Sequence, residues 1–210
     1  MVDQHSLWLI PSGETYDKLD EIIRGLSKKF NSHYFPPHVT LLGKITLPEE
    51  RLISRTQALS YLLSPFQISL ENIDYSEDYF RSIYIKAKKD APILDANYKA
   101  RTIFESSRFV SMQSNVKNPQ ILERARDIKS RHLDGVQKPE HADFRVFDIY
   151  ESYMPHLSVL YSNITQKSKK SALKSIPDNL DLSFNVDQIH IYSTTGPVNE
   201  WFKLRSFDLT

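Results

Sequence analysis

One short phrase is written twice in this chain: "PHVTLL" at residues 37–42 and "PHLSVL" at residues 155–160. Each runs proline, histidine, apolar, threonine or serine, apolar, leucine, and each has an aromatic residue three places before its histidine, Phe35 and Tyr153. On an extended strand alternate side chains share a face. His38 and Thr40 therefore project together while Val39 and Leu41 point the other way, and His156 and Ser158 are set the same way against Leu157 and Val159. Any fold for this chain must house two strands that bury one face and leave a histidine and a hydroxyl on the other. Seven histidines among 210 residues with 33 Ser and Thr would meet a hydroxyl two places on about once by chance. The pair alone is weak evidence; the shared six-residue context marks it as a repeat.

The remaining elements fit around the two phrases. "HSLWLI" (5–10) reads as a strand ending at Pro11, and Ser12 can cap a helix to about residue 30 with Tyr16, Leu19, Ile22, Ile23, Leu26 and Phe30 at helical spacing. Thr46 and Glu49 suggest a capping box opening a helix to about Leu63, with Pro48 tolerated in its first turn. Segments 66–73 and 80–87 read as strands, Asp90 and Pro92 signal a helix to about residue 105, and Pro119 opens another. Gly, Pro and mixed charge make 134–148 a loop. After the second phrase come a short basic helix from Thr165 to about Lys174 and a closing pair of strands, "LSFNVDQIHIYS" and "EWFKLRSFDL". The order of elements in the first half recurs in the second. The expected class is α+β: two pseudo-symmetric lobes in one domain spanning 1–210, each an antiparallel sheet with helices on its outer face, enclosing a central cleft.

Composition narrows the partners. A formal net charge of +1 gives no broad basic field for extended nucleic acid. With no cysteine, disulfides, thiol nucleophiles and cysteine-ligated zinc are excluded, and a reducing compartment is the natural setting. No apolar run approaches the roughly 20 residues of a membrane helix, and the N-terminus lacks the basic region of a secretory signal. A soluble, intracellular and cytoplasmic monomer is expected, association with an internal membrane compartment being left open.

Two imidazoles and two hydroxyls in one cleft suit one reaction class well. Attack on a phosphodiester needs a base for the nucleophile's proton and an acid for the departing oxygen. The non-bridging oxygens need hydrogen-bond donors where charge accumulates. His38 and His156 can fill the first pair of roles, Thr40 and Ser158 the second, with no metal or other cofactor required. Trp8 is a candidate to stack on a nucleobase, as are Phe35 and Tyr153. "HAD" at 141–143, His5, His33, His132 and His190 lack the repeated context and read as structural.

The two phrases resemble the paired H-x-[ST]-x signatures of the 2H phosphoesterase superfamily. With "SLWLIP" near the start, "PPHVTLLG" and "MPHLSVLYS" are similar to the fungal and plant cyclic phosphodiesterases. That resemblance implies a small-molecule cyclic phosphate substrate: 2′,3′-cyclic nucleotides opened to 2′-phosphates, and ADP-ribose 1″,2″-cyclic phosphate, which arises from tRNA splicing. It further implies that Tyr161 contacts the phosphate, that His156 activates water and that His38 protonates the leaving oxygen. On strand parity Tyr161, at an odd offset from His156, would face the other side unless the strand twists or bulges. The residues themselves leave acid and base unassigned. Two other readings stand beside this one: a 2′-5′ RNA ligase-like protein or 2′-5′ phosphodiesterase of the same superfamily, and a binder of cyclic-phosphate ends that does not turn them over.

Overall fold

The computed structural model describes residues 3–105, 153–177, 180 and 182–210. The helix expected after Pro119, the loop at 134–148, and His132 and His141 lie outside them.

In chain order the elements are β1 (His5–Leu9), α1 (Gly13–Phe30), β2 (Val39–Ile45), α2 (Glu49–Ser60), β3 (Phe66–Tyr75), a 3₁₀ turn (Tyr79–Arg81), β4 (Ile83–Ala87), α3 (Ala91–Glu105), β5 (His156–Leu160), α4 (Gln166–Leu173), β6 (Leu182–Val186), β7 (Gln188–Ser193), a second 3₁₀ turn (Val198–Glu200) and β8 (Phe202–Asp208). Among the described residues eight strands join one sheet in the order β6-β3-β4-β5-β2-β1-β7-β8, antiparallel throughout. The two phrase-bearing strands, β2 and β5, lie side by side at its centre. Each leads a set of four: β2-β1-β7-β8 on one side and β5-β4-β3-β6 on the other.

The lobes are therefore not the first and second halves of the chain. The hairpin β3-β4 leaves the first half to join β5, and β7-β8 returns from the end to join β1. The segment read as one strand from Leu182 to Ser193 is two, broken at Asp187. β6 pairs with β3 at one edge, and β7 pairs with β1 in the other lobe. In a flat sheet six spacings of about 4.8 Å would hold these strands roughly 29 Å apart. Two Cα steps reach only about 7 Å. The sheet must curl until its ends meet, and Thr210 N–H donating to Leu63 O at 3.0 Å closes the same gap from the C-terminus.

Val39, Leu41, Leu157 and Val159 are fully buried and join Leu19 and Ile23 of α1 and Ala96 and Ala100 of α3 in one core. α1 packs on β5 and β6, α3 on β2 and β3, and α2 on β7 and β8. With about 1.5–3 kcal/mol per buried aliphatic side chain, a one-residue slip of either central strand would expose its core face and bury its histidine, so register is firmly set. The Thr46/Glu49 capping box does not form. Pro48 is the N-cap, without a side-chain cap bond, its carbonyl accepting from Leu52 N–H at 3.0 Å, and the helix ends at Ser60 rather than Leu63. By contrast Thr165 caps α4 through Ser168 N–H as its sequence suggests.

Candidate active site

Val39 stands opposite Leu157 across the β2–β5 seam. Antiparallel counting from that pair sets His38 beside Ser158 and Thr40 beside His156. Each histidine thus neighbours the hydroxyl of the other phrase, on the face away from the core. Their ring settings are alike. The Nδ1 of His38 lies 2.7 Å from Pro36 O, and that of His156 lies 2.8 Å from Met154 O, in each case the carbonyl two residues back. A carbonyl only accepts, so each Nδ1 carries a proton and each neutral ring presents an Nε2 lone pair. The proline between carbonyl and histidine holds that segment extended, which lets the ring reach back.

Beyond this the two histidines differ. His38 is 4% exposed, and burial, with a smaller contribution from the charge of His156, pushes its pKa from 6.5 down to about 3. His156 is half-buried and shifts in the same direction, again chiefly through desolvation, with Arg81 adding to it. Trp8 lies flat on His38 at 3.5 Å between centroids and 8° between planes, whereas Tyr84, its counterpart in the other lobe, meets His156 edge-on at 5.4 Å and 75°. The equivalence is one of register: Trp8 pairs with Thr40, and Tyr84 with Ser158.

The hydroxyls differ too. Ser158 Oγ donates to Phe80 O at 2.8 Å, so its one proton is already committed. Among the described residues Thr40 Oγ1 has no hydrogen-bond partner, while Thr40 O accepts from Tyr153 OH at 2.9 Å. Tyr161 lies just past the end of β5 and so escapes strand parity. It is buried, and its hydroxyl is 3.4 Å from His38 Nε2. Phe35 stacks on Tyr161 at 3.6 Å. The aromatic residue before each histidine is a brace to the opposite lobe, Phe35 to Tyr161 and Tyr153 to Thr40, and both are buried rather than open to a base.

Trp8 also needs correcting. It is 1% exposed, with His38 on one face and Tyr192 stacked at 3.8 Å and 20°. Two near-parallel rings that close to one indole must take opposite faces, so no face is left for a nucleobase. Its contact is with the histidine. The residues not singled out from sequence are Tyr192, Tyr84 and Arg81, together with the half-exposed Phe80 and partly exposed Trp201. The aromatic pairs "YF" (79–80) and "WF" (201–202), at the starts of two predicted strands, were the available signal; Phe80 falls on the first 3₁₀ turn and Trp201 just past the second. Among the described residues no group of three or more His, Asp and Glu is gathered to hold a metal. No helix among them is long and apolar enough to cross a membrane.

The family model described as "Cyclic phosphodiesterase-like protein" matches residues 1–209. The chain belongs to that family. It is 20% identical over 196 residues to the cyclic phosphodiesterase of Arabidopsis thaliana, covering 91% of this chain and 86% of that protein. Among solved structures it resembles TT0787 of Thermus thermophilus, with a TM-score of 0.56 at 16% identity, covering 98% and 97% of the two chains. E. coli LigT complexed with 3′-AMP gives 0.52 at 10% identity, covering 100% and 99%. These likenesses show the 2H phosphoesterase fold, and family and relative together make the protein a cyclic phosphodiesterase-type enzyme.

Proposed function

We propose that this cyclic phosphodiesterase opens the five-membered cyclic phosphate of 2′,3′-cyclic nucleotides to give 2′-phosphates. We propose also that it converts ADP-ribose 1″,2″-cyclic phosphate to ADP-ribose 1″-phosphate, downstream of tRNA splicing. The observation that carries the reading is the matched pair of imidazoles, each with Nδ1 tied to the carbonyl two residues back and Nε2 left for chemistry. The half-buried His156 takes a proton from water as its oxygen bonds to phosphorus. His38 gives a proton to the ring oxygen as its P–O bond breaks, so one water is consumed and one monoester forms. Thr40, Ser158 and Tyr161 donate to the phosphate oxygens, and no metal takes part. Ser158 must first exchange its bond to Phe80 O for one to phosphate.

Both histidines are neutral in the resting site, so the acid has to be charged by the substrate. A phosphodiester anion a few ångströms from His38 favours the imidazolium, and the Trp8 face stabilises the same cation. LigT, which shares the fold, has been solved with 3′-AMP, NADP+ and ATP, which supports a nucleotide-sized ligand here. The test is phosphorus NMR of chelator-treated protein with a 2′,3′-cyclic nucleotide and, separately, with ADP-ribose 1″,2″-cyclic phosphate. One monoester resonance should replace each cyclic signal without added metal. Persistence of both cyclic phosphates would sink the reading, and activity restored only by a divalent ion would remove its metal-free mechanism.

A further inference from the structure

We propose that Phe80 and Trp201 form a platform on which the nucleobase stacks, so that the preferred substrate is a ribonucleoside 2′,3′-cyclic phosphate rather than the cyclic phosphate of a ribose that carries no base. The proposal rests on the reading above and refines it. Phe80 is 50% exposed and Trp201 partly so, whereas Trp8, Phe35, Tyr84, Tyr153 and Tyr161 around the two histidines are buried. It comes from the 3₁₀ turn before β4, in the lobe of the second phrase. Trp201 comes from the turn before β8, in the lobe of the first. The rings meet at 5.7 Å between centroids and 23° between planes, an offset stack spanning the two lobes.

Neither ring is loosely held. The N–H of Phe80 donates to Asp78 Oδ1 at 2.9 Å, and its carbonyl accepts from Ser158 Oγ at 2.8 Å. The indole N–H of Trp201 donates to Gly196 O at 3.1 Å. An exposed apolar ring on a backbone tied at both ends loses little further entropy when a ligand stacks on it. Tyr161 joins platform to chemistry: its hydroxyl is 3.4 Å from His38 Nε2, while its ring lies edge-on to Phe80 at 5.4 Å and to Trp201 at 6.2 Å. One tyrosine side chain thus separates the reacting group from the platform, a span like that of the single ribose between a cyclic phosphate and its base. Tyr61, at the end of α2, and Phe202, on edge strand β8, are similarly exposed but lie away from both motif strands. In ADP-ribose 1″,2″-cyclic phosphate the cyclised ribose bears no base, and the adenine is set off from the reacting ring by a pyrophosphate and a second ribose.

The experiment compares 2′,3′-cyclic AMP with glycerol 1,2-cyclic phosphate, which has the same five-membered ring and no base, on wild type, Phe80→Ala and Trp201→Ala. Each variant is expected to lose roughly ten- to hundredfold in kcat/KM on the nucleotide, the usual effect of removing a stacking partner. The loss on the glycerol ester should stay under about threefold by the same reasoning, and Phe80→Trp should restore nucleotide turnover. Equal losses on both substrates would overturn the proposal, because the two rings would then support the part of the site common to both substrates and not the base. No loss on the nucleotide would overturn it as well. Wild-type protein that opens neither ring would overturn the proposal together with the reading beneath it.

Discussion

The two halves of the site are built from the same six-residue phrase yet hold their histidines differently. His38 is buried, clamped flat by Trp8 and met at Nε2 by Tyr161. His156 is half-buried, touched edge-on by Tyr84. Thr40 keeps its hydroxyl uncommitted among the described residues, while Ser158 donates its proton to Phe80 O. What is shared is set by the phrase: strand parity, and the bond from Nδ1 to the carbonyl two residues back. What differs is set by the neighbouring strands, β1 and β7 on one side and β4 on the other. A duplicated motif gives two equivalent groups, and acid–base catalysis needs two inequivalent ones; the flanking strands supply the inequality.

The largest effects should come from the histidines. His38→Ala and His156→Ala are each expected to lower kcat by at least about 100-fold, the low end for losing general acid or base help. A single-turnover assay on 2′,3′-cyclic AMP checks this, and near-wild-type rates in both would end the pairing of the two phrases. The hydroxyls come next. Thr40→Val should cost about 100-fold, in the range for a preorganised donor. Ser158→Ala should cost about tenfold, because that donor must leave Phe80 O before it serves phosphate. The reverse order would show that Ser158 is the better placed of the two.

Stability should respond to pH through the buried histidine. The folded pKa of His38 is about 3 against 6.5 unfolded, so below 6.5 the unfolded chain binds a proton that the folded one refuses. Stability is then whole above pH 6.5 and falls progressively toward pH 3, by up to about 2 kcal/mol for this group at pH 5. His190, lowered to about 4 chiefly by burial beside β8, acts in the same sense. Urea midpoints at pH 7 and pH 5 test it: the drop should shrink in His38→Gln, and an unchanged drop would assign the effect elsewhere. The smallest effect belongs to Trp8. Replacing it with Phe should keep the fold, reduce kcat about fivefold for a weaker cation–π contact, and move the alkaline limb of kcat to lower pH. A change confined to KM would mean that Trp8 serves substrate binding after all.

Much of this was legible in the chain. Alternation in "HVTLL" and "HLSVL" gave both central strands and the face each buries, and the stripe from Leu19 to Leu26 gave α1. Strand order was not, because pairing is a long-range choice that local pattern does not encode. The exchange of β3-β4 and β7-β8 between the lobes explains why Trp8 reads as a free ring in the sequence: its second face is covered by Tyr192, from a strand nearly the whole chain away. The break at Asp187 did leave a trace. Buried residues fall on even numbers in β6 (Leu182, Phe184, Val186), while Ile189 and Ile191 in β7 are odd, a change of parity that one straight strand cannot make. Tyr161 illustrates the converse, since parity ceases to apply where β5 ends.

The most direct test of the central claim, that the two phrases form one acid–base unit across the lobes, is a double-mutant cycle on kcat with His38→Ala, His156→Ala and both together. Groups acting as a unit are grossly non-additive, so all three variants should fall to the same residual rate. A double variant slower by the product of the two single losses would contradict the account, leaving two histidines that act independently.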